Sequence, residues 1–440
     1  MLSVVADETS KVRRWRRIRK QKNKRQHLPK SLNIEKIVHL VRKITPRYCD
    51  ISLLIPILGL VVFGVFMIYS ASNYNAQVYY NDAFYYTIKQ LIGFVLGLIG
   101  LGLLYFIDYH WLQKLAYVIF GVSVVLLVAV FIPGISISKL GATRWIGIGS
   151  FSLQPSEIAK FALVIFAARI FAGKFRQKQD NKIIQRHTVP RWWQTLAVLV
   201  AGGVMCGLII LEPNMSITMT VGIIMFVLLF LCGVRLKTLG LILLPAIVAV
   251  GVMLIAAPYR LKRLSAFVDP WANPKGEGFQ LIESLYAIAN GGFWGVGYGH
   301  SVQKNMFLPF SESDFIFAII ADEFGFVGCL ALFFVFAWII YQIFKIGHEC
   351  CDFFGRYLCY GVATVIMVQS CLNFAVATGS IPPTGLPLPF ISFGGTSLLV
   401  FMSAIGVVLN VYKQNKKEKD KVFMFCLNNG QIRKENAKMK

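Results

Sequence analysis

Runs of about twenty apolar residues, bounded by charges or by Gly/Pro clusters, recur along this chain and restrict its fold more than any other feature. A bilayer core of roughly 30 Å is crossed by about 20 residues of α-helix, because a helix satisfies its own backbone groups where there is no water. Ten runs qualify, at approximately 51–72, 88–107, 112–133, 155–173, 192–211, 215–233, 236–256, 314–344, 357–378 and 386–411. The eighth is long enough to include an extramembrane turn at either end. Composition agrees, since only 15% of the 440 residues are charged and 56% are hydrophobic, against about a quarter charged in soluble domains. The expected fold is all-α: a polytopic membrane protein with ten transmembrane helices and a large extracellular loop, 257–313, between helices 7 and 8.

The charge distribution orients these spans. A net charge of +24 would suit nucleic acid if it lay on a folded surface. It lies instead in four segments: residues 1–50 with 15 basic and 4 acidic groups, the tail 412–440 with 9 and 3, loop 174–191 with 6 and 1, and the turn 234–238 with Arg235 and Lys237. Together they hold the entire excess. With ten spans all four fall on one face, which the positive-inside rule makes the cytoplasm, and both termini join them there. One missed helix would move half of this charge to the wrong side. The domain reading is a basic cytoplasmic tail with an amphipathic helix over 1–50, a membrane domain over 51–411, and a second basic cytoplasmic tail over 412–440. The run Lys11 to Arg25 reads as a solvated tail near anionic lipid, and no nucleic-acid partner is expected. Ile34, Ile37, Val38, Val41 and Ile44 recur at helical spacing before Pro46, as in an interfacial helix. The first apolar run is a full span beginning at residue 51, so no signal peptide is expected. The nine cysteines lack CxxC spacing, and the group His348, Glu349, Cys350, Cys351 has no second ligand pair.

Chemistry is expected on the opposite face, in 134–154, 257–313 and 379–385. The 257–313 loop is rich in large apolar side chains and contains an amphipathic segment at 278–289. Its glycines 291, 292, 295, 297 and 299 resemble a phosphate cradle, but without a preceding strand or a GK[ST] sequence a tight packed turn accounts for them better. Asp314 stands where this loop enters the eighth run. Ser or Asp at a helix start ordinarily caps it; Ser313 can serve equally well, which leaves Asp314 a carboxylate at the mouth of an apolar site. Glu157 and Lys160 share one face of the fourth helix, either as functional groups at membrane depth or as an internal salt bridge. Arg144-Trp145 pairs an anion clamp with an aromatic platform, or is an interfacial Trp beside a snorkelling Arg. Residues 381–397 crowd prolines and glycines at a helix start, which implies a broken helix facing a polar site.

These segments resemble the SEDS family (shape, elongation, division and sporulation), peptidoglycan polymerases of the FtsW/RodA/SpoVE type, over about 51–411. The resemblance rests on Gly141-Ala142-Thr143-Arg144-Trp145-Ile146, Gln154-Pro155-Ser156-Glu157-Ile158-Ala159-Lys160, Gly278-Phe279-Gln280, Ser301-Val302-Gln303-Lys304, Leu308-Pro309, Asp314-Phe315-Ile316-Phe317-Ala318 and the segment 382–397. The Ser301 to Lys304 run leans towards the FtsW/SpoVE branch. Where the septal pattern often has His-Thr, Glu312-Ser313 stand here, and Ala321-Asp322-Glu323 replaces the usual Gly-Glu-Glu.

The resemblance implies glycosyl transfer at the outer face of a bacterial plasma membrane, with lipid II and a lipid-linked glycan as substrates. It makes Asp314 the general base. It makes Arg144, Lys160 and Lys304 partners of the pyrophosphates, with or without a divalent cation such as Mg or Mn. Trp145 and Gln280 would shape the substrate groove, and Glu157 is grouped with Lys160 among the substrate-binding residues. A class B penicillin-binding protein and other division proteins are the implied partners. A lipid II flippase and a non-catalytic division scaffold are the competing readings.

Overall fold

The computed structural model describes residues 48–139, 142–148, 151–172, 190–255, 258–276, 278–305 and 307–438, which fall within one compact unit. The run Lys11 to Arg25, the segment around 34–44 and most of loop 174–191 lie outside the described residues. In chain order the elements are α1 (Ile51–Tyr80), α2 (Tyr85–Phe106), α3 (His110–Ala129), strands β1 (Ser136–Lys139), β2 (Ala142–Ile148) and β3 (Phe151–Leu153), then α4 (Pro155–Ala172), α5 (Trp192–Leu211), α6 (Met215–Leu231) and α7 (Leu236–Ile255). There follow α8 (Pro258–Val268), a 3-10 turn (Pro270–Ala272), α9 (Phe279–Gly291), α10 (Ile316–Glu349), α11 (Phe353–Ala377) and α12 (Gly395–Lys438). Among the described residues seven helices are long and apolar enough to cross a membrane: α1, α2, α3, α5, α10, α11 and the part of α12 up to Asp420. Met215–Leu231 and Leu236–Ala249 are shorter apolar helices, and α4 carries Glu157, Lys160 and Arg169 within 18 residues.

The centre of the bundle is α4, α11 and α12. In the apolar windows of α11 and α12, 67% and 61% of residues are buried by protein, against 22% in α2 and α3, so the latter present most of their surface outward. Glycine lets α12 lie close against α2: a Cβ at Gly406 would come within 2.4 Å of the Leu101 carbonyl oxygen, as small residues permit between membrane helices.

Three departures from the sequence reading bear on the site. The chain is not all-α, because β1, β2 and β3 form an antiparallel meander in the 134–154 segment. Its strands are short, glycine-punctuated and bulged between Ile137 and Ser138, too brief for a clear period-two signal. The tenth run is helical only from Gly395, since Pro387 and Pro389 cannot donate hydrogen bonds and the chain from 381 to 394 runs without helix. The eighth run is helical from Ile316 and breaks at Gly325, which has φ 64° and ψ −164°.

At that break the glycine-rich turn after α9 inserts. Val296 and Gly297 N–H donate to the carbonyls of Asp322 and Glu323 at 2.9 and 3.0 Å, and Phe326 and Val327 N–H donate to those of Gly292 and Phe293 at 2.9 and 3.2 Å. The turn thus satisfies backbone groups freed by the kink. A Cβ at Gly295 would come 2.2 Å from the Glu323 carbonyl oxygen, so the glycine is a packing requirement and these residues form a packed turn.

Candidate active site

Asp314 is held through its backbone. Three consecutive carbonyls accept hydrogen bonds from the segments behind them: Glu312 O from Phe393 N–H at 2.9 Å, Ser313 O from the Ser392 hydroxyl at 2.6 Å, and Asp314 O from the Asn373 side-chain amide at 2.9 Å. Asn373 also donates to Leu386 O at 2.8 Å, and one turn earlier on α11 Gln369 donates to Pro387 O at 2.8 Å. The polar face of α11 therefore carries both the loop with Asp314 and the proline-rich segment. The cap of α10 is Phe315, with no side-chain cap hydrogen bond, so neither Asp314 nor Ser313 serves as the N-cap. Gly385, at φ 64°, lies against the carboxylate, and a Cβ there would come 3.2 Å from Asp314 Oδ2.

The Asp314 side chain is half-buried. Burial raises its pKa to about 6; the Ser313 hydroxyl and the charges of Arg144 and Arg263 pull it down, and the neighbouring Glu312 carboxylate pushes it up. Arg144 projects from β2, and its guanidinium Nη2 donates to Pro213 O at 2.5 Å. The meander is thereby tied to the connection between α5 and α6. Beside that contact stands Glu212, which is 0% exposed and has no hydrogen-bond partner on either carboxylate oxygen among the described residues. Burial lifts it to about 8 against the opposing pull of Arg144. One arginine thus faces two carboxyl groups with raised proton affinity.

The other expected site residues divide. Trp145 neighbours Arg144 on β2, paired with Ile137 of β1, and Gln280 is half-buried in the first turn of α9. Lys160 is fully buried, and its ammonium bonds Glu157 at 2.8 Å and Gln369 at 2.5 Å. Lys304 is 3% exposed, bonded to Glu323 at 3.0 Å and to the Ser70 hydroxyl at 2.9 Å. Both ammonium groups are enclosed and occupied, so in this conformation they brace the scaffold and do not present charge to a pyrophosphate. The Glu157–Lys160 pair is the internal salt bridge, linked through Gln369 to the proline-rich segment.

Asn373, Gln369, Glu212 and Arg263 were not among the expected site residues. For the first two the signal was present: two amides four residues apart in the largely apolar run 357–378 share a helix face. Glu212 and Arg263 acquire their places only through tertiary packing. Among the described residues no group of three or more His, Cys, Asp or Glu side chains is placed to hold a metal ion.

An apolar helical bundle with seven helices long and apolar enough to cross a membrane among the described residues defines a multi-pass membrane protein. Comparison with known proteins narrows the class. The sequence profile of the FtsW/RodA/SpoVE cell cycle proteins matches residues 51–417. A probable peptidoglycan glycosyltransferase FtsW of Trichlorobacter lovleyi is 36% identical over 366 residues, covering 82% of this chain and 92% of the relative. Stage V sporulation protein E of Bacillus subtilis is 35% identical over 372 residues, covering 83% and 98%. A solved chain from a peptidoglycan synthase complex, reported for the structural coordination of polymerization and crosslinking, superposes with a TM-score of 0.68 at 27% identity, covering 84% of this chain and 99% of that one. The chain belongs to the FtsW/RodA/SpoVE family.

Proposed function

We propose that this protein is a peptidoglycan glycosyltransferase acting at the outer face of a bacterial plasma membrane, with ten passes and both termini in the cytoplasm. The relatives' names support the activity, and the basic tails and loops support the orientation. The observation that carries the reading is Asp314: a carboxyl group with pKa lifted to about 6, fixed by its backbone and facing two arginines.

Asp314 carboxylate takes the proton of the GlcNAc 4-hydroxyl of lipid II. The oxygen attacks C1 of the terminal MurNAc of the lipid-linked glycan, the C1–O bond to undecaprenyl pyrophosphate breaks, and configuration at C1 inverts. Pyrophosphate is already a good leaving group, so the second carboxyl group that glycosidases use to protonate theirs is not required. Arg144 and Arg263 are the cations that offset the departing charge, because Lys160 and Lys304 are paired in the interior. A crosslinking partner of the penicillin-binding type fits the complex in which the similar chain was solved.

Purified protein given lipid II makes glycan polymer on this reading. Asp314→Ala should insert and melt normally yet lose at least about a hundredfold in rate, the scale of a lost general base. Full polymerisation by that variant would remove the base assignment, and lipid II translocation without polymerisation by the wild type would establish the flippase instead.

A further inference from the structure

α1 is longer than a membrane crossing requires. Its 30 residues span about 45 Å, against roughly 30 Å of hydrocarbon. The strip that carries Asp314 is fastened to it at Ala71, whose carbonyl accepts from the Ser311 hydroxyl at 3.1 Å. From that tie to Tyr80 the helix extends about 14 Å further.

This end of α1 is built of rings and amides. Tyr69, Asn73, Gln77 and Tyr80 recur at helical spacing and share one face. Rings from the turn into α2 close on both ends of that face: Phe84 stacks on Tyr69 with centroids 5.1 Å apart, and Tyr85 stacks on Tyr80 at 3.7 Å. Tyr80 is nonetheless 47% exposed and Phe84 52%. Between the two ring pairs, Asn73 Oδ1 accepts from Tyr74 N–H at 2.6 Å and Gln77 Nε2 donates to Asn81 Oδ1 at 3.3 Å, which leaves Asn73 Nδ2 and Gln77 Oε1 uncommitted among the described residues.

The same face is joined to the site. Tyr86 sits edge-to-face with Tyr80 at 5.8 Å and with Phe393 at 5.0 Å, and Phe393 N–H is the donor that holds Glu312 O. One turn further along α2 the fully buried Gln90 donates to Ser392 O and accepts from Gly394 N–H, both at 3.3 Å. Contact thus runs without a gap from Tyr80 to the strip that carries Asp314.

An N-acetylhexosamine strand has the matching surface: each pyranose offers an apolar C–H face to an aromatic ring, and each acetamido group an N–H and a carbonyl to an amide. A lipid tail has no use for the amides. A pyrophosphate finds Lys89 as the one cation between residues 69 and 90, and its ammonium is taken by the Tyr85 hydroxyl and lies 4.0 Å from that ring's centroid. We propose, resting on the glycosyltransferase reading above, that this face is a binding platform for the N-acetylated glycan strand. Tyr80 and Phe84 stack against its sugar rings, and Asn73 and Gln77 bond its acetamido groups, holding the strand beside Asp314 between additions.

Full-length protein in nanodiscs is titrated, without a donor, with a soluble octasaccharide of alternating GlcNAc and MurNAc, and binding is read by saturation-transfer NMR. Tyr80→Ala should bind it about tenfold more weakly, the scale of one lost ring contact. Gln77→Leu should weaken it too, with melting temperatures confirming that both variants fold, whereas Tyr80→Phe keeps the ring and should bind as the wild type does. Given lipid II, Tyr80→Ala should make shorter polymer, because the strand is released between additions. Unchanged octasaccharide binding in Tyr80→Ala or Gln77→Leu, or unchanged polymer length in Tyr80→Ala, overturns the inference. So does loss of binding in Tyr80→Phe, which marks an interfacial tyrosine held at the headgroups by its hydroxyl. Binding is read without turnover, so wild-type protein that holds the octasaccharide yet makes no polymer overturns the reaction proposed above and not the platform.

Discussion

Raised proton affinity at Asp314 and Glu212 has opposite consequences for catalysis. Asp314 must be ionised to accept a proton; with its pKa at about 6 the working form is lost as pH falls through that value. Glu212, at about 8, is mostly protonated at neutral pH and becomes an anion beside Arg144 only as pH rises past it. On the proposed reaction, Glu212 therefore opposes the Arg144 charge only as pH rises past about 8. Polymerisation rate against pH should be bell-shaped, falling tenfold per unit below about 6, and Glu212→Gln should abolish the alkaline limb while leaving the acid limb in place. Asp314 stands out in the sequence as a carboxylate where loop becomes apolar helix, and its reading as the base came from the family resemblance. Glu212 does not stand out, because Leu211-Glu212-Pro213 reads as an ordinary connection until β2 delivers Arg144 beside it.

Among the elements, α11 does the positioning. Gln369 joins the Glu157–Lys160 pair to Pro387, and Asn373 joins Leu386 to Asp314, so two amides on one face set the geometry of two non-helical segments. Lys160→Met strands the buried Glu157 carboxylate and should cost about 3–5 kcal/mol of stability, while the double variant Glu157→Gln/Lys160→Met should recover most of it. Thermal unfolding in detergent measures both. Where α1 to α7, α10, α11 and α12 run was legible, since about twenty apolar residues are a strong signal. The meander was not, because its strands are of four, seven and three residues. The break at Gly325 was invisible too, since the run around it stays apolar and the cause is a turn some thirty residues earlier. Lys160 was found as an unusual residue at depth and Lys304 through the family resemblance, but their partners, and hence their bracing role, emerged only from packing.

For the whole molecule, the tail beginning at 412 does not begin a new element: α12 passes through it to Lys438. Its first turns are part of the fold, with Gln414 Nε2 donating to Asp108 Oδ1 at 2.8 Å and Asn415 Nδ2 to Glu349 O at 2.9 Å. A chain ending at Asp420 should keep its melting temperature and polymerise within about twofold of full length, whereas one ending at Tyr412 loses those two bonds, each worth about 1 kcal/mol, and should melt lower. The backbone clasp on residues 312–314 has a further consequence. Because three consecutive carbonyls are gripped, the strip has backbone anchors that do not depend on its side chains, although Ser311 also bonds the Glu312 carboxylate and Ser313 the Asp314 carboxylate. The chemistry of the loop is thereby partly separable from its architecture: a substitution at Asp314 exchanges the reagent while the backbone anchors of the bench remain.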